Sequence, residues 1–347
     1  MSEHPLTSMV REVYNKHSAL CDFVCRVNDE DLTTEQNAIF SQLSEETRKR
    51  YYGSGIVIPE QLEGKRVLDI GCGSGSLVFI LSKLVGPTGY VVGVDICDGL
   101  IEAAKSQIEY HQKAWGLKEP NCEFVIGNAE KLDFEPNSFD IIVSNGIVCL
   151  CPDKEAAFNS AYRVLKEGGQ FFLSDVYSEV DPPIKYRDHE TLWTLGTTGA
   201  MRWDTLAEVA GKAGFTSPYL GQVGTVNIVN EEYIKMLENG RFVCAGWRLF
   251  KLPKDVKRGA SRVTYKGNIT GFSDALRWDV DLYFPTGEGV EVDSDLATIL
   301  SASYLNSSFD FCDIQTNPVT KRNQNPFAYL DKLQAEGRQP AFIYTIE

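Results

Sequence analysis

The run Val67-Leu68-Asp69-Ile70-Gly71-Cys72-Gly73-Ser74-Gly75 constrains this chain more than any other stretch. A short apolar segment carries an acid near its end, and three glycines then alternate. A second apolar segment, Tyr90-Val91-Val92-Gly93-Val94, ends in Asp95, twenty residues past Gly75. Strand, glycine turn, helix, strand and acid in that order are how a Rossmann-like domain builds a nucleoside site. The turn lets the backbone approach the ligand, and the carboxylate at the next strand tip takes the ribose hydroxyls. A dinucleotide fingerprint needs a glycine where Ser76 stands, so a pyrophosphate on the following helix is not expected.

The bulk numbers set the class. The chain has 347 residues, 43% hydrophobic and 24% charged, which suits about two domains that each bury a core. Its net charge of −14 argues against nucleic acid as a partner. No apolar run reaches the length of a membrane span, so no membrane partner is expected. Met1-Ser2-Glu3-His4-Pro5 has neither a basic region nor an apolar core, so a cytoplasmic protein is expected, with its nine cysteines mostly thiols. There is no Cys-x-x-Cys pair and there are only four histidines, so no metal site is anticipated.

Three regions follow from the patterning. Residues 1–60 read as an N-terminal helical cap, with Val10, Val13 and Tyr14 on one helix face. Residues 61–252 read as an α/β domain with a parallel sheet, because strands and helices alternate. Strands are expected at 66–70, 90–94, 122–126, 139–144 and 170–175, with helices at 76–85, 98–115 and 153–166. Asp153 suits the N-cap of the last helix and Gly168-Gly169 its end. Two helices over 189–215, stopped at Gly214, precede a strand pair near 219–228 and 245–250. Residues 253–347, beginning at Pro253 and a basic linker, read as a small α+β domain.

Asp-x-Gly-x-Gly-x-Gly resembles the loop of class I S-adenosylmethionine-dependent methyltransferases. Further segments resemble the arsenite methyltransferase family: Arg50-Tyr51-Tyr52-Gly53-Ser54-Gly55, Val143-Ser144-Asn145, Ser174-Asp175-Val176-Tyr177, Leu192-Trp193, Arg248-Leu249-Phe250-Lys251 and Tyr265-Lys266-Gly267-Asn268-Ile269-Thr270-Gly271. The likeness covers almost the whole chain. It implies S-adenosylmethionine as cofactor. Gly71, Cys72, Gly73, Ser74 and Gly75 would cradle its methionine portion, with Asp69 orienting the loop. Asp95 would take the ribose, Ile96 would lie against adenine, and Asn128 and Ala129 would meet the adenine amino group. Asn145 would face the methyl group, and Tyr52 would close over the cofactor.

The resemblance also implies cysteine thiolates for a soft arsenic centre. Cys72 matches the family's glycine-loop cysteine, and Cys25 its N-terminal one. At the two remaining positions stand Gly146, after Ser144-Asn145, and Gly196, after Leu192-Trp193. Cys149, three residues past Gly146, is within chain reach of the lost position, with Cys151 beside it. Cys72, Cys149 and Asn145 are therefore the catalytic candidates. Methyl transfer needs positioning and water exclusion above all. A base is needed only if the acceptor must lose a proton, and Asp175 and His189 are the candidates for that role. The expected activity is methyl transfer to a small soft acceptor, either trivalent arsenic or a thiol or thioether sulfur. The alternatives are a carbon, nitrogen or oxygen acceptor, or a cofactor-binding protein without turnover.

Overall fold

A computed structural model describes residues 3–16, 25–27, 34–50, 57–322 and 324–346. Tyr52 and Cys21 lie outside the described residues, and of Cys25 the backbone alone is described. The strands of the large sheet are β1 (Cys25–Val27), β2 (Arg66–Ile70), β3 (Tyr90–Asp95), β4 (Cys122–Ile126), β5 (Phe139–Asn145), β6 (Leu165–Ser178), β7 (Met201–Arg202), β8 (Tyr219–Ile228) and β9 (Phe242–Phe250). Their order is β1, a C-terminal strand described below, β8, β9, β6, β5, β2, β3, β4, with β7 beside β6. Strands β2 to β6 pair in parallel, and β9 runs antiparallel to both β6 and β8.

The apolar runs explain this sheet. Leu68, Val92 and Ile142 pack on one face, while Val67, Val91, Ile141 and Val143 pack on the other. A strand buried on both faces has no solvated side, so its sequence reads as continuous Val, Ile and Leu. From β2 the chain proceeds outward through β3 to β4, then returns to the opposite side of β2 as β5. Strand order therefore reverses between β2 and β5. Loops leaving their C-terminal ends diverge there and open a crevice.

The helices before the appendage are α1 (Pro5–Lys16), α2 (Thr34–Ser41), α3 (Glu45–Lys49), α4 (Ser76–Val85), α5 (Asp98–Lys105), α6 (Ile108–Ala114), α7 (Lys154–Val164), α8 (Glu190–Thr194), α9 (Leu206–Ala213) and α10 (Glu231–Met236). Asp153 caps α7 by accepting from the Ala156 N–H at 2.9 Å. Gly214 ends α9 at φ 105°, a left-handed conformation open to glycine at little cost. The helix expected over 98–115 is two helices, broken at Ser106-Gln107. Gly168-Gly169 does not cap α7, because β6 begins directly at Leu165. Gly168 instead allows a close approach: an added Cβ would lie 2.7 Å from the Ala302 carbonyl oxygen.

The appendage holds β10 (Ser261–Tyr265), β11 (Ala275–Arg277), β12 (Tyr283–Pro285), β13 (Gly289–Val292), α11 (Ser294–Ala302) and β14 (Phe309–Asp313). Strands β13, β10 and β14 form an antiparallel sheet, and β11 pairs with β12. Its core of Trp278, Phe284, Leu296 and Phe309 also takes in Tyr219 and Phe250 from the large sheet. After it come α12 (Pro326–Ala335) and β15 (Phe342–Ile346). These return to the first domain: β15 pairs in parallel with β8 and antiparallel with β1. The separate character expected for 253–347 therefore ends before α12, because Phe327, Tyr329 and Leu330 join the core of the large sheet. Among the described residues no helix is long and apolar enough to cross a membrane.

Candidate active site

The glycine loop sits at the reversal point. Gly71, Gly73 and Gly75 have φ of 75°, 51° and 87°, so all three adopt the left-handed region that disfavours a side chain. An added Cβ at Gly71 would stand 2.1 Å from Ile147, and one at Gly75 would stand 2.7 Å from Phe124. The loop folds over the tip of β3, with the Gly71 and Cys72 N–H groups donating to the Val94 carbonyl at 2.7 and 3.1 Å. Gly75 then starts α4.

Asp95 organises the neighbouring tip. Its Oδ2 accepts from the Gly73 N–H at 2.9 Å, and its Oδ1 accepts from the Cys97 N–H at 2.9 Å. The Cys97 thiol also donates to it. Burial pushes the Asp95 carboxyl above its usual range, opposed by the donors from Cys97 and Gly73. Each carboxylate oxygen offers two acceptor directions, so beyond the two backbone bonds a hydroxyl can be taken in place of the Cys97 thiol.

Two cavities share Gly71 and Ile147 in their walls. The larger, about 630 Å³, is lined by Asp95, Ile96, Cys97, Asn128, Ala129 and Cys151, among others. The smaller, about 430 Å³, is lined by Arg50, Asp69, Gly71, Cys72, Gly73, Ser74, Ser76, Leu77, Asn145 and Ile147. The expected cofactor residues within the described regions thus collect around one crevice; Gly75 takes part as the turn that carries the loop into α4. Asn128 has a second task, since its Oδ1 accepts from the Glu130 N–H at 2.8 Å and holds the turn after β4.

The N-terminal helical cap expected over residues 1–60 lies, in its first helix, against the larger cavity. Thr7, Val10 and Tyr14 of α1 line the larger cavity. Arg11 Nε donates to the Ile96 carbonyl at 3.1 Å, Asn15 donates to Asp98 at 2.7 Å, and the Tyr14 hydroxyl donates to the Thr194 carbonyl at 2.8 Å. The apolar face of α1 was legible, but not what it covers. Ile147, which seats on Gly71, gave no signal at all.

The thiols divide. Cys72 lines the smaller cavity, yet its sulfur packs against Gly93, where an added Cβ would come within 2.8 Å. Burial pushes that thiol up. Leu150 and Cys151 form wall of the larger cavity, whereas Cys149 packs with Leu6, Val10 and Trp193. The Cys149 sulfur stands 2.7 Å from where a Cβ on Gly196 would lie, so it fills the space of a side chain there. Gly196 itself has φ 79°, which a cysteine would adopt only with strain. The Cys149 thiol donates to Asp175. Asp175 also accepts from the N–H groups of Val148, Cys149 and Val176 at 2.7, 3.2 and 2.8 Å, so it acts as a latch on the loop after β5. His189 caps α8, accepting from the Leu192 N–H at 3.3 Å. Both candidate bases are thus committed to local structure. Among the described residues no three His, Cys, Asp or Glu side chains converge as a metal cluster.

A glycine loop at a sheet reversal, with an acid on the adjacent strand tip and an acid-lined crevice, defines a class I S-adenosylmethionine-dependent methyltransferase. The fit to that cofactor rests on the donor set. Asp95 suits a ribose diol, the left-handed glycines open a cradle, and the buried acids Asp69 and Asp95 suit a ligand with cationic groups.

Residues 61–240 match the methyltransferase domain model, and residues 258–342 match the arsenite methyltransferase C-terminal domain model. The arsenite methyltransferase of Rattus norvegicus is 39% identical over 283 residues, covering 80% of this chain and 77% of that one. That of Homo sapiens is 41% identical over 268 residues, covering 76% and 72%. The crystal structure of CrArsM, an arsenic(III) S-adenosylmethionine methyltransferase from Chlamydomonas reinhardtii, superposes with a TM-score of 0.77 at 32% identity, covering 83% of this chain and 98% of that one. The chain belongs to the arsenite methyltransferase family.

Asp69 supplies a prediction. Burial, aided by the negative Asp95, pushes its carboxyl up to about 8. At pH 7 the free protein therefore holds a proton there. A cationic ligand favours the carboxylate, so binding expels that proton, and affinity rises with pH until about 8. Calorimetry at pH 7 in buffers of different ionisation enthalpy is expected to give about one released proton more for wild type than for Asp69→Asn. Equal release from both proteins would remove Asp69 from the binding step.

Proposed function

We propose that this enzyme methylates a small soft acceptor, with trivalent arsenic as the leading substrate. One observation carries the reading: three cysteines are among the residues lining the two cavities, Cys97 and Cys151 in the larger and Cys72 in the smaller, and among the described residues no histidine lines either. An acceptor with a ready lone pair needs no base, and soft sulfur suits a thiophilic centre. The names of the rat, human and algal relatives support arsenic. A thiol or thioether acceptor stands as the second reading, favoured by glycine at positions 146 and 196.

When bound, S-adenosylmethionine supplies an electrophilic methyl group on a sulfonium that is already a good leaving group. The protein's part is to hold and exclude. Asp95 anchors the sugar, and the loop 71–75 fixes the tail. Ile96, Asn128 and Ala129 flank the base, and α1 covers it. Asn145, at the tip of β5, lines the smaller cavity beside the loop. Asp175 fixes the segment 148–151 and thereby Cys151. Positioning of this kind is worth about 7–11 kcal/mol of barrier. Cys149 contributes from behind the wall, by filling the space at Gly196. The reading also makes the enzyme cytoplasmic, which a chain with nine cysteines and no Cys-x-x-Cys pair is compatible with. It makes nucleic acid no substrate, supported by the charge of −14.

The test is incubation with S-adenosylmethionine and a panel of arsenite, methylarsenite, thiols and thioethers. Formation of S-adenosylhomocysteine with the arsenic compounds, together with a methylated arsenic product, is expected. Turnover with sulfur compounds alone selects the second reading. A protein that binds the cofactor and turns over none of them ends the soft-acceptor reading.

A further inference from the structure

Charge around the crevice is uneven. The larger cavity is lined by Asp95 and Glu130, and the smaller by Asp69. Among the described residues, one cation lines either cavity: Arg50. It follows α3 directly, and α3 is fastened to the glycine loop. Ser76 Oγ, at the start of α4, donates to the Thr47 carbonyl at 2.9 Å, and Ser74 Oγ donates to the Arg50 carbonyl at 3.4 Å. Arg50 is thereby held at the mouth of the smaller cavity. Its guanidinium pairs with Glu46 at 3.4 Å, and its side chain keeps 30% of its surface exposed. Such a pair is weak and exchangeable, worth about 0–1 kcal/mol.

The amino-acid tail of the cofactor is a zwitterion, and each end needs a counter-charge. Resting on the reading that this tail lies over the glycine loop, we propose that Arg50 clamps its carboxylate while Asp69 takes its ammonium. Arginine suits the task because its planar fork matches a carboxylate with two parallel hydrogen bonds. Arg50 thus discriminates nucleosides with a free carboxylate from those without one, and it exchanges Glu46 for the ligand on binding.

Calorimetry with two probes tests this on the full chain: S-adenosylhomocysteine, which has the tail, and 5′-methylthioadenosine, which lacks it. Arg50→Met keeps the apolar stem and removes the fork. It is expected to weaken S-adenosylhomocysteine 10- to 100-fold and to leave methylthioadenosine within threefold. Arg50→Lys is expected to recover part of the loss. Glu46→Gln, which removes the same ion pair from the other side, is expected to leave both probes within threefold. Equal losses for both probes in Arg50→Met, or no loss for either, would overturn the clamp. The same losses in Glu46→Gln would overturn it too, by reducing Arg50 to a structural role. If wild type binds neither probe, the cofactor-site reading itself fails, and the clamp with it.

Discussion

Replacing Asp95 by alanine is expected to weaken S-adenosylhomocysteine binding by about 100-fold or more. The carboxylate joins the glycine loop to the segment after β3 through the Gly73 and Cys97 N–H groups, beside the bonds that the Val94 carbonyl accepts from Gly71 and Cys72. On the proposed reading it also takes the ribose hydroxyls, in place of the Cys97 thiol. A hydrogen bond to a charged group nets about 1.5–3 kcal/mol, and 1.4 kcal/mol is tenfold in affinity, so two such bonds give the stated loss. The same change strands two buried N–H donors and loosens the loop that shapes the smaller cavity. Asp95→Asn separates the two effects. Its amide oxygen still accepts from one N–H, while its NH2 opposes the other, so an intermediate loss of about tenfold is expected. Calorimetric titration of both variants, with far-UV circular dichroism to verify folding, provides the check. If folded Asp95→Ala binds within threefold of wild type, the sugar is anchored elsewhere.

Why this site was legible in the sequence, and where legibility ended, has a physical basis. Glycine at 71, 73 and 75 signals a backbone that must enter the left-handed region, and all three do. Val67-Leu68 and Val91-Val92 signal strands buried on both faces, and such runs have few other ways to hide their side chains. Asp153 and Gly214 carry local chemistry that acts within one turn. What failed to show depends on distant partners. The orientation of Cys149 is set by its turn, Val148–Leu150, and by Gly196 across the loop, and neither is visible from three-residue spacing. Gly168 reads locally as a helix end, yet its role is a close approach to residue 302, more than a hundred positions away. The pairing of β1 with β15 joins the two ends of the chain, and short strands of ordinary composition do not announce their partners. Gly146 and Gly196 were legible as departures from the family pattern. Only the structure ties Gly196 to the cysteine that fills its space.

The largest stability effect is expected from a pair that the mechanism does not use. Glu60, just before β2, and Arg248, on β9, form an ion pair with side chains 6% and 4% exposed. The guanidinium lies over Phe172 at 5.7 Å and Trp278 at 5.1 Å, and its Nη2 reaches the Arg277 carbonyl at 3.4 Å. It therefore fastens the segment before β2, the large sheet and the β11–β12 hairpin to one another. Glu60→Ala leaves a buried cation among aromatic rings with its counter-charge gone, and breaking such a pair costs about 3–5 kcal/mol. With an unfolding entropy of about 2.1 cal/mol/K per residue, a chain of this length loses about 4–7 °C in Tm. The double variant Glu60→Met/Arg248→Met removes both charges and keeps apolar volume, so it is expected to recover most of that loss. Differential scanning calorimetry of the single and double variants separates the two cases. A single variant within 1 °C of wild type would mean that water or a shifted side chain solvates Arg248 and that the pair does not hold the appendage to the sheet. A double variant as unstable as the single one would assign the loss to packing around Phe172 and Trp278 and not to charge.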